Sequence, residues 1–224
     1  MTSRLRAALA AAATAALLVG CATTGSTAST PEKPAASSPA KPVPTGLDPA
    51  TRPDPFPSTY APLPSRPTAI RGASILTATG QVIDRGVIVF AEGRIVAVGG
   101  GDTVIPDGAT VIDGTGKWVT PGIIDSHSHL GVYPSPGVAS RSDGNEGIDP
   151  VTANVWAEHS IWPQDPGFNR ARAGGVTTLQ ILPGSANLFG GRSVTVRNVP
   201  SVTMQGMKFP GAPYGLKMAC GENP

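Results

Sequence analysis

Of the chain's 24 prolines, 12 fall between Pro31 and Pro67, in a stretch beginning at Ala22 that is also rich in Ala, Ser and Thr. A segment of that kind buries too little apolar surface to offset the entropy of ordering it, so residues 22–67 are expected to form an extended, disordered linker. The expected role is that of a spacer rather than a proline-motif ligand. Any packed core is thereby confined to residues 68–224.

The residues ahead of the linker read as a targeting segment. Arg4 and Arg6 precede an apolar run from Ala7 to Gly20, too short to span a bilayer comfortably and laid out like an export signal. Leu18-Val19-Gly20-Cys21 resembles the lipobox of bacterial lipoproteins, in which cleavage exposes the cysteine for acylation. Residues 1–21 are therefore expected to be a lipoprotein signal peptide, with Cys21 as the lipidation site and several acyl chains anchoring the product stably. The alternative is plain secretion with a cysteine near the cleavage site. Ala22 in place of an acidic residue resembles the pattern for outer-membrane sorting, so the expected location is the cell envelope, lipid-anchored to the outer membrane and facing the periplasm. Losing Arg4 and Arg6 reduces the 17 basic residues to 15, equal to the 15 acidic ones. A net charge near zero makes no case for a nucleic-acid partner. If Cys21 carries lipid, Cys220 has no intrachain partner for a disulfide.

Two architectures follow each other beyond the linker. Ile70, Ile75, Val82, Ile83 and Val87-Ile-Val-Phe90 mark short strands separated by Gly-containing turns, and Ala91-Glu-Gly-Arg94 is a hairpin candidate with Gly93 free to take positive φ. Ala109-Thr-Val-Ile112 and Lys117 to Val119 extend this all-β unit to residue 120. Pro121-Gly-Ile-Ile-Asp125 is an apolar run suited to a strand buried on both faces. Thr152 to Ser160 has a weak helical period, and Phe168 to Ala173 leads through Gly174-Gly175 into Val176-Thr-Thr-Leu-Gln-Ile-Leu182. That order of strand, helix and strand reads as a βαβ unit.

The chemistry concentrates at His127-Ser128-His129, directly after the buried-type strand. Side chains two apart in a strand share a face, so two imidazoles project together, close enough to hold one metal ion. At the carboxyl end of a parallel strand they would lie where α/β barrels present catalytic groups. Ala91-Glu-Gly-Arg-Ile-Val-Ala-Val-Gly99, Val111-Ile-Asp-Gly-Thr-Gly116 and Thr120-Pro-Gly-Ile-Ile-Asp-Ser-His-Ser-His-Leu130 together resemble the opening of the amidohydrolase superfamily. From Ala173-Gly-Gly-Val-Thr-Thr-Leu179 through Leu216-Lys-Met-Ala-Cys-Gly-Glu-Asn-Pro224 the chain resembles imidazolonepropionase-like members more loosely.

The resemblance implies an α/β fold: residues 121–224 as the start of a metal-dependent (β/α)8 barrel, incomplete in this chain, preceded by a small β-sandwich portion over 68–120. It implies a hydrolase of amide or cyclic-amide C–N bonds acting on a small-molecule or peptide substrate. The implied cofactor is a divalent metal, zinc first, as one or two ions. His127 and His129 would be ligands, joined in the family by two later histidines, a late carboxylate and often a carboxylated lysine. Lys217 is the candidate for that lysine and Lys208 a second contender. Asp125 is either an acceptor steering an imidazole or a turn aspartate. Arg192, in the Gly-containing run Leu182 to Arg192, either pairs with a substrate carboxylate or belongs to a flexible loop. His159 is expected to pack rather than to ligate, and Glu146 and Asp149 to be solvated loop carboxylates.

Only 94 residues follow Leu130, whereas a complete barrel takes about 250. The expectation is thus an amino-terminal fragment in which no catalytic residue can be assigned beyond the metal ligands. The other readings are a catalytically inactive, lipid-anchored envelope binding module and a non-functional remnant.

Overall fold

A computed structural model describes residues 53–142 and 144–220. The expected signal, Cys21 and most of the linker lie outside the described residues. Two sheets are built. The first contains β1 (Thr68–Leu76), β2 (Val82–Ala91), β3 (Arg94–Gly99) and β4 (Thr110–Asp113) in the order β3-β2-β1-β4, and β5 (Trp118–Val119) also pairs with β1. β1 and β2 are antiparallel, as are β2 and β3, while β4 and β5 run parallel to β1. The hairpin at residues 91–94 is as expected. Ala91 pairs with Arg94, and Glu92 and Gly93 take φ of 51° and 73°, the two positive values a tight hairpin turn requires.

Ala69, Val87 and Val89 form the core of this sheet, with Ala97 and Ile105 packed on it. Ile95, Val96, Val111 and Ile112 are exposed. Among the described residues, 68–120 build one five-stranded sheet.

The second sheet has the order β6-β7-β8-β9, formed by β6 (Ile123–Ser128), β7 (Val176–Ile181), β8 (Phe189–Arg197) and β9 (Gly215–Met218). β6 and β7 are parallel, and α1 (Pro166–Ala173) lies between them in the chain, which makes the expected βαβ unit. β8 is antiparallel to both β7 and β9. Leu179, Ile181, Val194 and Val196 are buried with Val132, Phe168 and Met207 in the larger core.

Three expectations are corrected. Ile123 and Ile124 are 54% and 71% exposed rather than buried on both faces, and β6 lies at the edge of its sheet with β7 as its partner. Thr152 to Ser160 forms no α-helix beyond a 3-10 turn at Ala157–His159. The backbone there follows β8 instead: Val151 bridges Phe189, Trp156 bridges Arg192, and the Arg192 N–H donates to Val155 O at 2.7 Å. Finally, Phe189 to Arg192, expected in a loop, opens β8.

Ordered packing starts ahead of β1. Residues 53–60 lie as a strap in which Ser58 Oγ donates to Lys208 O at 2.6 Å and the Thr59 N–H to Gln205 O at 3.0 Å. The Phe56 ring meets His159 and Trp156 edge-on, at centroid distances of 4.7 and 5.5 Å. Beneath the strap Lys208, 2% exposed, donates from Nζ to Phe56 O at 2.6 Å and pairs with Asp54 at 2.7 Å and Glu158 at 3.0 Å.

Candidate metal centre

β6 ends in the histidine pair. Ser128 is buried, while His127 is exposed and His129 half-buried on the opposite face, as strand alternation requires. The two imidazoles meet edge to face with centroids 5.2 Å apart. His129 Nδ1 lies 2.9 Å from Leu182 O, just past the end of β7. A carbonyl can only accept, so Nδ1 carries a proton and donates in this contact.

Lys217 on β9 completes the arrangement. Its side chain is 4% exposed, and its Nζ lies 3.4 Å from His127 Nε2 across 90 residues of sequence. Burial pushes the Lys217 amine below its usual range. Nothing in the strand alternation pointed to this convergence. Only the local pattern Leu216-Lys-Met218 did.

Asp125 is a turn aspartate: its Oδ1 accepts from the His127 backbone N–H at 3.1 Å rather than from an imidazole. Lys208 is committed to the strap network and does not join the pair. His159 packs against Phe56 and stacks with Trp156. Glu146 and Asp149 accept from the backbone N–H groups of Ile148 and Val151 in their own loop. The Arg192 guanidinium lies 4.2 Å over the Trp156 ring. Among the described residues no three His, Cys, Asp or Glu side chains converge on one metal position.

Several residues that organise the surrounding loops carry no motif. Asn187, 4% exposed, donates to Glu146 O, to Asp149 O at 3.1 Å and to Thr152 Oγ1 at 2.7 Å, tying the loop after β7 to the loop after β6. These loops border a cleft of about 350 Å³ that includes Asn145, Glu146, Trp156, His159 and Pro183. Pro183 adjoins Leu182, whose carbonyl holds His129. Gly131 turns the chain just beyond the pair with φ of 78°, and a Cβ there would meet Ile161 Cγ2 at 2.8 Å. Only glycine suits that position.

No family model matches the chain. Individual proteins do. The chain is 34% identical over 151 residues to the amidohydrolase tasK of Hapsidospora irregularis, a match covering 63% of this chain and 15% of that protein. It is 35% identical over 130 residues to the imidazolonepropionase of Stenotrophomonas maltophilia, covering 49% and 31%. It is 36% identical over 101 residues to the 5'-deoxyadenosine deaminase of Methanothermobacter thermautotrophicus, covering 45% and 21%. The crystal structure of an amidohydrolase from Thermotoga maritima superposes with a TM-score of 0.64 at 38% identity, over 70% of this chain and 40% of that one. Amidohydrolase homologues therefore cover part of the chain, and the chain spans less than a third of each of these curated relatives.

Proposed function

We propose that this chain belongs to the amidohydrolase superfamily and that His127, His129 and Lys217 are ligands of a divalent-metal centre that serves hydrolysis of amide or cyclic-amide C–N bonds. The observation that carries the reading is the convergence of Lys217 Nζ on His127 Nε2 beside a second imidazole whose Nδ1 is tied to Leu182 O. Amidohydrolase and deaminase, the names of the relatives, both denote hydrolytic cleavage at carbon bonded to nitrogen.

The donor set fits a metal of the zinc type. Neutral imidazole nitrogens suit zinc, and a lysine becomes a ligand once its uncharged amine adds carbon dioxide. In that addition the nitrogen lone pair forms the N–C bond and the nitrogen loses a proton, leaving a carbamate. Burial of Lys217 favours the uncharged amine that this step consumes. Bound there, as one or two ions, zinc would acidify water and polarise the scissile carbonyl.

The chain's own groups supply orientation. Leu182 O fixes the His129 tautomer, Asp125 holds the His127 backbone, and Asn187 holds the loops at the cleft. We assign Arg192 to a carboxylate on a small-molecule or peptide substrate. Its guanidinium, stacked on Trp156, keeps its N–H edge for a bidentate pair. Arg192→Ala is expected to raise KM for carboxylate-bearing substrates by roughly 10- to 100-fold with kcat little changed, and an equal KM would remove Arg192 from the site. In the same reading residues 1–21 direct export, Cys21 carries the lipid, and the domain works at the outer membrane facing the periplasm.

The direct test is equilibrium dialysis of the full chain against zinc with bicarbonate present. Wild type is expected to retain zinc and the His127→Ala/His129→Ala double variant to lose it. Equal retention by the two proteins sinks the metal centre.

A further inference from the structure

Asp165 is 1% exposed and lies far in sequence from the histidine pair. Its Oδ2 accepts from the Gly131 N–H at 2.9 Å, and its Oδ1 accepts from Ser135 N–H at 3.0 Å and Gly167 N–H at 2.9 Å. The last of these contacts caps α1. The other two grip the turn that leaves His129, and that turn closes on the histidine itself: Val132 and Tyr133 N–H both donate to His129 O, at 3.0 and 2.9 Å. Gly131 O in turn accepts from Trp162 N–H at 2.9 Å.

Capping alone does not call for a buried carboxylate. Serine, threonine or asparagine caps a helix about as well, without the cost of removing a charge from water. What needs a carboxylate is the number and direction of the donors. Three N–H groups point at two oxygens, and both oxygens must be pure acceptors. An asparagine would turn its NH2 toward either Gly131 or the Ser135 and Gly167 pair, setting donor against donor.

We propose that Asp165 is a positioning residue for His129. It locks the turn from Gly131 to Ser135, and the turn fixes the His129 backbone so that the ring holds Nδ1 against Leu182 O. The inference rests on the metal-centre reading for its consequence. The orientation itself rests on the chain's own hydrogen bonds.

The experiment uses the full, metal-free chain with 15N-labelled histidine. Long-range proton–nitrogen NMR reads the tautomer of His129, assigned with His129→Gln. Wild type is expected to show His129 as the Nδ1–H tautomer alone. Asp165→Ser keeps a cap on Gly167 but is too short to hold Gly131 and Ser135. It is expected to fold, to give mixed His129 tautomers and to weaken zinc retention by about 10- to 100-fold. Asp165→Asn is expected to scramble the tautomer in the same way. Asn198→Ala removes the amide that donates to Phe168 O and Val176 O, joining α1 to the start of β7. It is expected to lower stability while keeping the wild-type tautomer. A single Nδ1–H tautomer surviving in Asp165→Ser overturns the proposal, as does a wild-type His129 without it. If the tautomer scrambles but wild type retains no zinc, the metal reading falls and the positioning role stands.

Discussion

Lys208→Ala is expected to destabilise the protein by about 3–5 kcal/mol, a large part of the stability of an ordinary domain. The reason is what remains behind. The Glu158 side chain is fully buried, at 0% exposure, and its cationic partner is Lys208 at 3.0 Å. Tyr214 OH also lies 2.9 Å from Glu158, sharing its one proton between that carboxylate and Asp54, but a phenol cannot neutralise a carboxylate. Removing the lysine strands a charge and releases Asp54 and Phe56 of the strap as well. Glu158→Gln is expected to cost less, because Lys208 keeps Asp54. Lys208→Met/Glu158→Leu is expected to recover most of the loss, since apolar replacement of both partners removes the stranded charge. Urea unfolding checks all three, and a Lys208→Ala unfolding free energy within about 0.5 kcal/mol of wild type would falsify this account.

The same network has an acid limit with a definite sign. Burial works to raise the Asp54 pKa, but hydrogen bonds from Lys208, Tyr214 and the Phe56 N–H, with the Lys208 charge, hold it below its ordinary 3.8. The contribution of Asp54 is therefore complete above that value and disappears as pH falls through the lower folded value. Tyr214 is shifted upward by its own burial and by its bonds to Asp54 and Glu158, and it stays a donor throughout.

The second large effect is expected at Lys217. Lys217→Ala should weaken zinc retention at least about a hundredfold, or roughly 2.7 kcal/mol, and should abolish any dependence of retention on bicarbonate. A lysine that merely contacts His127 would leave that dependence unaltered by its loss. The pH response separates the two roles further. Acid protonates the amine and reverses carbamate formation, so wild-type retention should fall with pH more steeply than that of the alanine variant. Dialysis at several pH values with and without bicarbonate reads both quantities, and parallel curves for the two proteins would sink the ligand role.

Local features were legible in the sequence and long-range ones were not. The β1 to β3 strands show as apolar runs, and the turn at Gly93 shows because only a residue tolerant of positive φ serves there. His127 and His129 show because a separation of two in a strand is itself a geometry. Ile123 and Ile124 look like any buried strand, and their exposure depends on which distant elements cover the faces of that strand. Asp165, Glu158 and Asn187 carry no periodic signal, because their partners are backbone amides, carbonyls and side chains many residues away. The extended course of residues 151–156 was hidden for a similar reason: its partner is β8, and weak helical periodicity yields to that pairing.

The strap also has a history within each molecule's synthesis. Asp54 leaves the ribosome early, and its partners Lys208 and Tyr214 are made some 150 residues later. A bond that closes a loop of this size forms only after the intervening sheets have shortened the path between its ends. Docking of the strap is thus expected to be the closing event of folding, and resistance of residues 53–60 to a protease would time the completion of the whole unit.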